Sequence, residues 1–322
     1  MTKIQVRLAS GSKILKVNLG SVNMKTNELN EEEKKVIEEK GTEAPFSGEY
    51  ENFYEDGIYL CRRCGAPLYR SEDKFDAHCG WPSFDAEVAG AVKRTLDEDG
   101  VRTEITCERC GAHLGHVFEG EKMTDKNIRH CVNSISMEFV PKDSRSFIEK
   151  AYFGGGCFWC TEATFQRLKG VKSVLPGFAG GEKENPTYEE VSGGHTGHAE
   201  VIEVEYDSSL VSFEILLSVF FAVHDPTTLN RQGADVGTQY RSIILYIDDA
   251  QKEVAQNFIK KLEAEKYFEK PIVTEIKPLG KFYPAESYHK NYFKDHPEAA
   301  YCQIVIAPKI DKLAAKFKDL LA

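Results

Sequence analysis

Apolar and polar residues alternate over short stretches in the first half of the chain and gather into longer blocks in the second. In GIYLC, VRTEITC and HCVNSISMEFV the alternation predicts strands, the last carrying Cys131, Asn133, Ile135, Met137 and Phe139 onto one face. A charged helical run, NEEEKKVIEEK, precedes them and is closed by Gly41, Pro45 and Gly48. The first domain is therefore expected to be mainly antiparallel β. The segment PKDSRSF is polar and opens with Pro, which marks a linker. Beyond it, strand AYF enters GGG and the helical FWCTEATFQRLKG. Strands AEVIEVEY, RSIILYI and PIVTEIKPL then alternate with helical stretches at 212–224, 249–266 and 310–321. That is an α/β or α+β pattern. No internal repeat is visible, so the two halves are different folds. The expected divisions are a disordered leader at 1–27, a first domain at 28–142, a linker at 143–148 and a second domain at 149–322.

Composition narrows the function. Lys and Arg number 41 against 51 Asp and Glu, a formal charge of −10 that disfavours binding to nucleic-acid phosphates. The most apolar stretch, Ile215 to Val223, falls well short of the roughly 18 residues of a membrane span. No secretory signal is seen, and a cytoplasmic location is expected. The first 25 residues hold five Lys or Arg and no acid, which suits a disordered leader and would also suit a transit peptide.

Nine cysteines, at 61, 64, 79, 107, 110, 131, 157, 160 and 302, change the picture most, because six of them form three C-x-x-C pairs. Cys61, Cys64, Cys107 and Cys110 follow predicted strands and precede Gly65 and Gly111, the layout of two knuckles offering four thiolates to a structural Zn²⁺. The metal would staple two distant hairpins of one sheet; two reducible disulfides are the competing reading. Cys79 lies in the turn HCGWPSF. Strand periodicity places Arg129, Cys131 and Asn133 on one face, and a guanidinium beside a thiol favours the nucleophilic thiolate, so Cys131 is the better candidate for attack. An inert buried thiol is the alternative for either cysteine. His113 and His116, three apart across a glycine-containing turn, can protonate or hold an oxygen, although a structural or incidental role is the favoured reading of such a pair by itself.

In the second half, GGGCFWCTE puts Cys157 where a strand passes into a helix, facing backbone N–H groups that stabilise a thiolate. Cys160 shares its side of that helix and can attack it after oxidation. A thioredoxin-like pair is the competing reading, against which stand the bulky Phe158 and Trp159, suited to gripping an apolar methyl group. In GHTGHAEVIEVEY, alternation sets His198, Glu200, Ile202 and Val204 on one face, so Glu200 is desolvated and can serve as a general acid. A metal at His195 and His198 lacks the spacing to complete a site.

Taken in order, KGTEAPFSGEY, the two knuckles, CGWPSF, HLGHVF and R-x-C-V-N-S make the first half resemble the B-type methionine sulfoxide reductases. The resemblance implies a zinc-stapled β fold, Cys131 as nucleophile, Cys79 as resolving cysteine, and Trp81, His113, His116 and Asn133 as the substrate pocket beside Arg129. His130 departs from the family, which usually has an aromatic residue there as a pocket wall. The second half resembles the A-type reductases through GGCFWCTE, NPTYEEV, TGHAEVIEVEYD, HDPTT, GTQYRS, FYPAESYH and YCQ. That likeness implies an α+β fold with a ferredoxin-like core, Cys157 as nucleophile and Glu200 as acid. It also implies Phe158 and Trp159 as the methyl-binding wall, and Tyr188, Asp235 and Tyr240 on the oxygen side. Cys160 and Cys302 both occupy places of resolving cysteines. The implied reductant is thioredoxin, and the two halves together would repair both sulfoxide epimers of free or protein-bound methionine. A zinc-containing redox sensor and a thiol-disulfide oxidoreductase are the alternatives.

Overall fold

The computed structural model describes residues 26–97, 100–144 and 146–322, with the backbone of two short strands, Val6–Arg7 and Ile14–Leu15. Apart from those strands and its last two residues, the expected leader lies outside the described residues. The backbone divides into two compact units, one mostly before Phe147 and the other mainly from Ile148 onward.

The first unit opens with helix Glu31–Ile37, started by a reciprocal cap in which the Asn30 side chain accepts from the Glu32 and Glu33 N–H groups while the Glu33 carboxylate accepts from the Asn30 N–H. Two antiparallel sheets follow. One has three strands, ordered Met137–Pro141, Gly57–Cys61, Pro67–Arg70. The other has six, ordered Lys74–Phe75, Ser83–Phe84, Ile128–Val132, His113–Glu119, Thr103–Cys107, Val92–Leu96. Tyr59, Tyr69, Phe84, Leu114 and Val132 fill the core, with Tyr69 stacked on Phe84.

Two expectations for this unit are corrected. HCVNSISMEFV is not one strand: it breaks after Val132 into a 3₁₀ turn, Ser134–Ser136, and resumes as Met137–Pro141 in the other sheet. The polar residues there are used for the turn, since the buried Ser134 hydroxyl accepts from the Tyr50 N–H and Ser136 donates to the His113 carbonyl. HLGH is not a turn: His113–Glu119 is one strand with an irregular register against Thr103–Cys107. At Gly115, φ +149°, an added Cβ would lie 2.1 Å from the Cys131 carbonyl oxygen, so only glycine fits.

In the second unit the strands Ile148–Gly154, Val171–Ala179, Ala199–Asp207 and Ile243–Tyr246 alternate with helices Phe158–Phe165 and Phe213–Val223 as βαββαβ. Their spatial order, with Ile243–Tyr246 beside Ile148–Gly154, then Ala199–Asp207, then Val171–Ala179, is the ferredoxin-like arrangement. Glu275–Pro278 extends one edge in parallel and Tyr283–Pro284 the other. The last helix begins earlier than expected. A π turn at Cys302–Ile306 continues into Ala307–Lys316, its wide i→i+5 spacing accommodating Pro308, which has no N–H to give.

Candidate active sites

In the first unit the strand pairing lays Ser83, Cys131, His116 and Glu104 in one row across the six-stranded sheet, all on the same face. The CGWPSF turn brings Cys79 over this row, its Sγ 3.9 Å from that of Cys131 and 3.4 Å from the Ser83 hydroxyl. Arg129 does share the face of Cys131, but its Nη1 reaches Cys79 Sγ (3.5 Å) while its other nitrogens clamp Glu121 at 2.8 and 2.9 Å. Cys79 is the more acidic thiol of the pair. The hydrogen bond from Cys131 chiefly, with Ser83 and Arg129 helping against the cost of burial, brings Cys79 down to about 5, and the same bond pushes Cys131 up.

The expected pocket residues separate into two groups. The irregular register places the His113 and His116 rings 5.8 Å apart, His113 bonded through Nδ1 to Glu104 (2.8 Å) and His116 through Nε2 to Asp97 (3.0 Å). That leaves the buried His113 Nε2 without a partner. Trp81 is half-buried, its indole N–H donating to the Glu43 carbonyl. Asn133 is spent on structure: its oxygen accepts from the Glu43 N–H and its amide donates to the Leu114 carbonyl. His130 faces away from Cys131 and is no pocket wall. It is fully buried against Tyr69 (3.1 Å), Arg94 (3.0 Å) and Glu87 (3.1 Å).

The four knuckle cysteines converge, their sulfurs all within 4.8 Å of one another. Cys61–Cys110 and Cys64–Cys107 are each 3.7 Å apart. A tetrahedral ion with 2.3 Å metal–sulfur bonds sets its sulfurs about 3.8 Å apart, whereas a disulfide needs about 2.05 Å. The donor set fits zinc. Cys61 ends a strand of the three-stranded sheet and Cys107 a strand of the six-stranded one, so the cluster joins two sheets and not two hairpins of one. Among the described residues no other group of metal ligands converges. His195 is exposed, and both ring nitrogens of His198 are taken by the Gly181 N–H and the Lys183 carbonyl.

In the second unit Cys157 is the N-cap residue of helix Phe158–Phe165, immediately after the glycines that close strand Ile148–Gly154. Glu200 comes from strand Ala199–Asp207, 2 % exposed, and its carboxylate accepts from the Phe158 N–H at 3.0 Å. Burial pushes its carboxyl up to about 8. Burial also pushes the Cys157 thiol up, while Cys160 is brought down to about 6, chiefly by Cys157 and further by Lys309 and Tyr301. The helix end faces Cys157, yet desolvation outweighs it. Phe158 packs against Tyr188 and His289, and Trp159 lies flat on Tyr292 with ring centroids 3.7 Å apart. Asp235 accepts from the Tyr301 hydroxyl at 2.8 Å, and burial pushes the half-buried Tyr240 hydroxyl up, with the charges of Glu200 and Tyr188 adding to it. Cys302 is fully buried in the π turn beside Tyr301.

Tyr301, His289 and Ser83 were not singled out by sequence reasoning. All three lie in YCQ, FYPAESYH or CGWPSF. Their roles depend on loops and a π turn that no periodicity describes. Among the described residues no helix is long and apolar enough to cross a membrane.

Fold and sites together define a two-domain thiol redox protein with two free cysteines besides the metal-ligand set in the first half and three in the second. Residues 149–321 match the peptide methionine sulfoxide reductase family and residues 29–141 match the SelR domain. The chain belongs to the peptide methionine sulfoxide reductase family, with a SelR domain ahead of the reductase domain. It is 58% identical over 163 residues to the peptide methionine sulfoxide reductase MsrA of Nautilia profundicola, a match covering 51% of this chain and 92% of that one. The MsrA of Chromobacterium violaceum is 52% identical over 174 residues, 54% of this chain and 99% of that one. Mxr1 from Saccharomyces cerevisiae in reduced form is a structural neighbour with 34% identity and a TM-score of 0.45, covering 48% of this chain and 89% of that one.

Proposed function

We propose that the chain repairs oxidised methionine, the first unit reducing methionine-R-sulfoxide and the second methionine-S-sulfoxide. The observation that supports this is that each half carries its own free thiol pair beside its own proton donor, His113 and His116 in one and Glu200 in the other. A redox sensor or disulfide oxidoreductase needs only one such pair. In each site the nucleophile, Cys131 or Cys157, attacks the sulfoxide sulfur, and the oxygen leaves it for the cysteine as a proton arrives from the neighbouring acid, giving methionine and a sulfenic acid. The resolving thiol, Cys79 or Cys160, then displaces the hydroxyl as water to form a disulfide, which an external dithiol reduces. Cys160 is placed to resolve first, because it lies in the first turn of the same helix, its N–H donating to the Cys157 carbonyl, with Cys302 as a second relay.

Phe158 and Trp159 grip the sulfoxide methyl group, and Tyr188, Asp235 and Tyr240 hold the oxygen side, while Trp81 and Arg129 flank the other site. Asn133 supports that site by holding Glu43. Cys61, Cys64, Cys107 and Cys110 hold a Zn²⁺ that is structural, since four thiolates leave no open position. Thioredoxin is the proposed reductant, in keeping with the thiol chemistry and with a yeast Mxr1 structure described as a complex with Trx2. A cytoplasmic setting, which keeps the thiols reduced, is part of the same reading, as are units at 28–142 and 149–322 joined by 143–148.

The test is turnover of separated R and S epimers of a blocked methionine sulfoxide, with dithiothreitol, by the native chain, Cys131→Ser and Cys157→Ser. Each substitution is expected to abolish one epimer and spare the other. Reduction of neither epimer by the native chain would sink the proposal.

A further inference from the structure

Glu162 lies on the same helix as Cys157 and Cys160, is 1 % exposed, and contributes nothing to the chemistry above. Both its carboxylate oxygens accept from one backbone group, the Asn291 N–H, at 2.9 and 3.1 Å. Gln166, one turn further on, closes the tie by donating to Glu162 (3.3 Å) and to the Asn291 side chain (2.8 Å). Asn291 is in the left-handed region at φ +60°, a conformation Asn tolerates better than most residues. Lys290 and Asp295 are the charged neighbours of the carboxylate.

The tie holds a segment with two aromatic groups on either side of Asn291. His289 accepts from the Trp159 indole N–H at 3.2 Å and packs on Phe158 and Tyr188, with ring centroids 5.0 and 4.4 Å away. Tyr292 stacks on Trp159 at an interplanar angle of 6°. The wall facing the substrate is thus built from two distant parts of the chain, and the Glu162–Asn291 bond fastens one to the other between the two aromatic contacts.

We propose that Glu162 is a positioning residue for the S-sulfoxide site, fastening the segment His289–Tyr292 over Phe158 and Trp159 so that the methyl-binding wall is preformed. This rests on the assignment of that site to sulfoxide reduction. The expected signature is a binding defect, because the carboxylate touches neither substrate nor thiol.

The experiment uses the full chain carrying Trp81→Phe, which leaves Trp159 as its only indole because the sequence has two Trp. Emission and acrylamide quenching of Trp159, together with kcat and KM for the S epimer, are compared for this parent and for Glu162→Ala, Glu162→Gln and Gln166→Ala. Glu162→Ala is expected to shift Trp159 emission to the red, expose it to quencher and raise KM roughly tenfold, with kcat within about threefold. Glu162→Gln, which keeps an acceptor, restores both readouts most of the way. If Glu162→Ala fails to fold, Gln166→Ala carries the test, with a smaller shift of both readouts in the same direction. Unchanged emission and KM in the variant that folds overturn the proposal, and so does a fall in kcat at constant KM. A parent that does not reduce the S epimer contradicts the functional assignment instead, and the fluorescence still judges the tie.

Discussion

The two halves solve the same electrostatic problem with different materials. In the first unit the thiol pair sits partly open on a sheet face, and charge is managed by cations and rings: Arg129 and Ser83 at Cys79, His113 and His116 along the row. In the second the thiols are buried at a helix start, beside the Glu200 carboxyl group, which burial chiefly, with the charges of Asp235 and Cys160 adding to it, keeps protonated near neutrality. An open site needs a partner for its charge; a closed site gains its acid from the exclusion of water. In both, the neighbouring cysteine is the more acidic thiol and the proposed nucleophile the less acidic one.

The largest effects separate the halves outright. Cys131→Ser is expected to remove R-epimer turnover by at least about a thousandfold and leave the S epimer within about twofold, and Cys157→Ser to do the reverse, read by chiral product analysis. Cys61→Ser should break the four-thiolate set and abolish zinc uptake, lower the first thermal transition and remove most R turnover while S turnover persists; a single shifted transition with both activities lost would mean that the halves do not unfold separately. Glu200→Gln, which keeps the shape of the acid and removes its proton, should lower kcat on the S epimer by about a hundred- to a thousandfold. Arg129→Met should raise the Cys79 pKa from about 5 by roughly one unit, seen in thiolate absorbance, with R turnover down about tenfold.

The smallest effect is a pH limb. The Glu200 carboxyl is protonated below about 8 and ionised above it, so kcat/KM for the S epimer should fall as pH rises through that value. The R epimer should show no limb assignable to a carboxyl there, and Glu200→Gln should erase the one for S. A limb at the same pH for both epimers would point to a shared thiol titration and blur the contrast.

Much of this was legible in the sequence where one local rule sufficed. Strand alternation put Glu200 on a buried face, the GGG-to-helix boundary put Cys157 at a helix N-cap, and knuckle spacing gathered four thiolates. It failed where a single residue changed the period. Gly115 turned an apparent turn into a strand irregularity that brings His113 and His116 together, and the Ser134–Ser136 turn moved Asn133 from the pocket into a structural clamp. Tertiary choices were also out of reach. Proximity along the strand suggested Cys131 as the partner of Arg129, and the turn at Gly80 brings Cys79 to the same guanidinium, so that its charge acts on both thiols. His130, conspicuous beside the nucleophile in sequence, points into the opposite side of the sheet.

Two independent sites in one chain should each turn over once without help from the other, which a single-turnover experiment reads. Fully reduced enzyme is mixed with excess racemic blocked methionine sulfoxide without a reductant, and both the methionine formed from each epimer and the resulting disulfides are counted by mass spectrometry. About one equivalent of each epimer should be consumed per chain in the first turnover, with Cys79–Cys131 and Cys157–Cys160 linked in the same molecules, and later exchange to Cys160–Cys302 should free Cys157 to consume a second equivalent of the S epimer only. Consumption of one epimer alone, or a first disulfide joining a cysteine of one unit to a cysteine of the other, would contradict it.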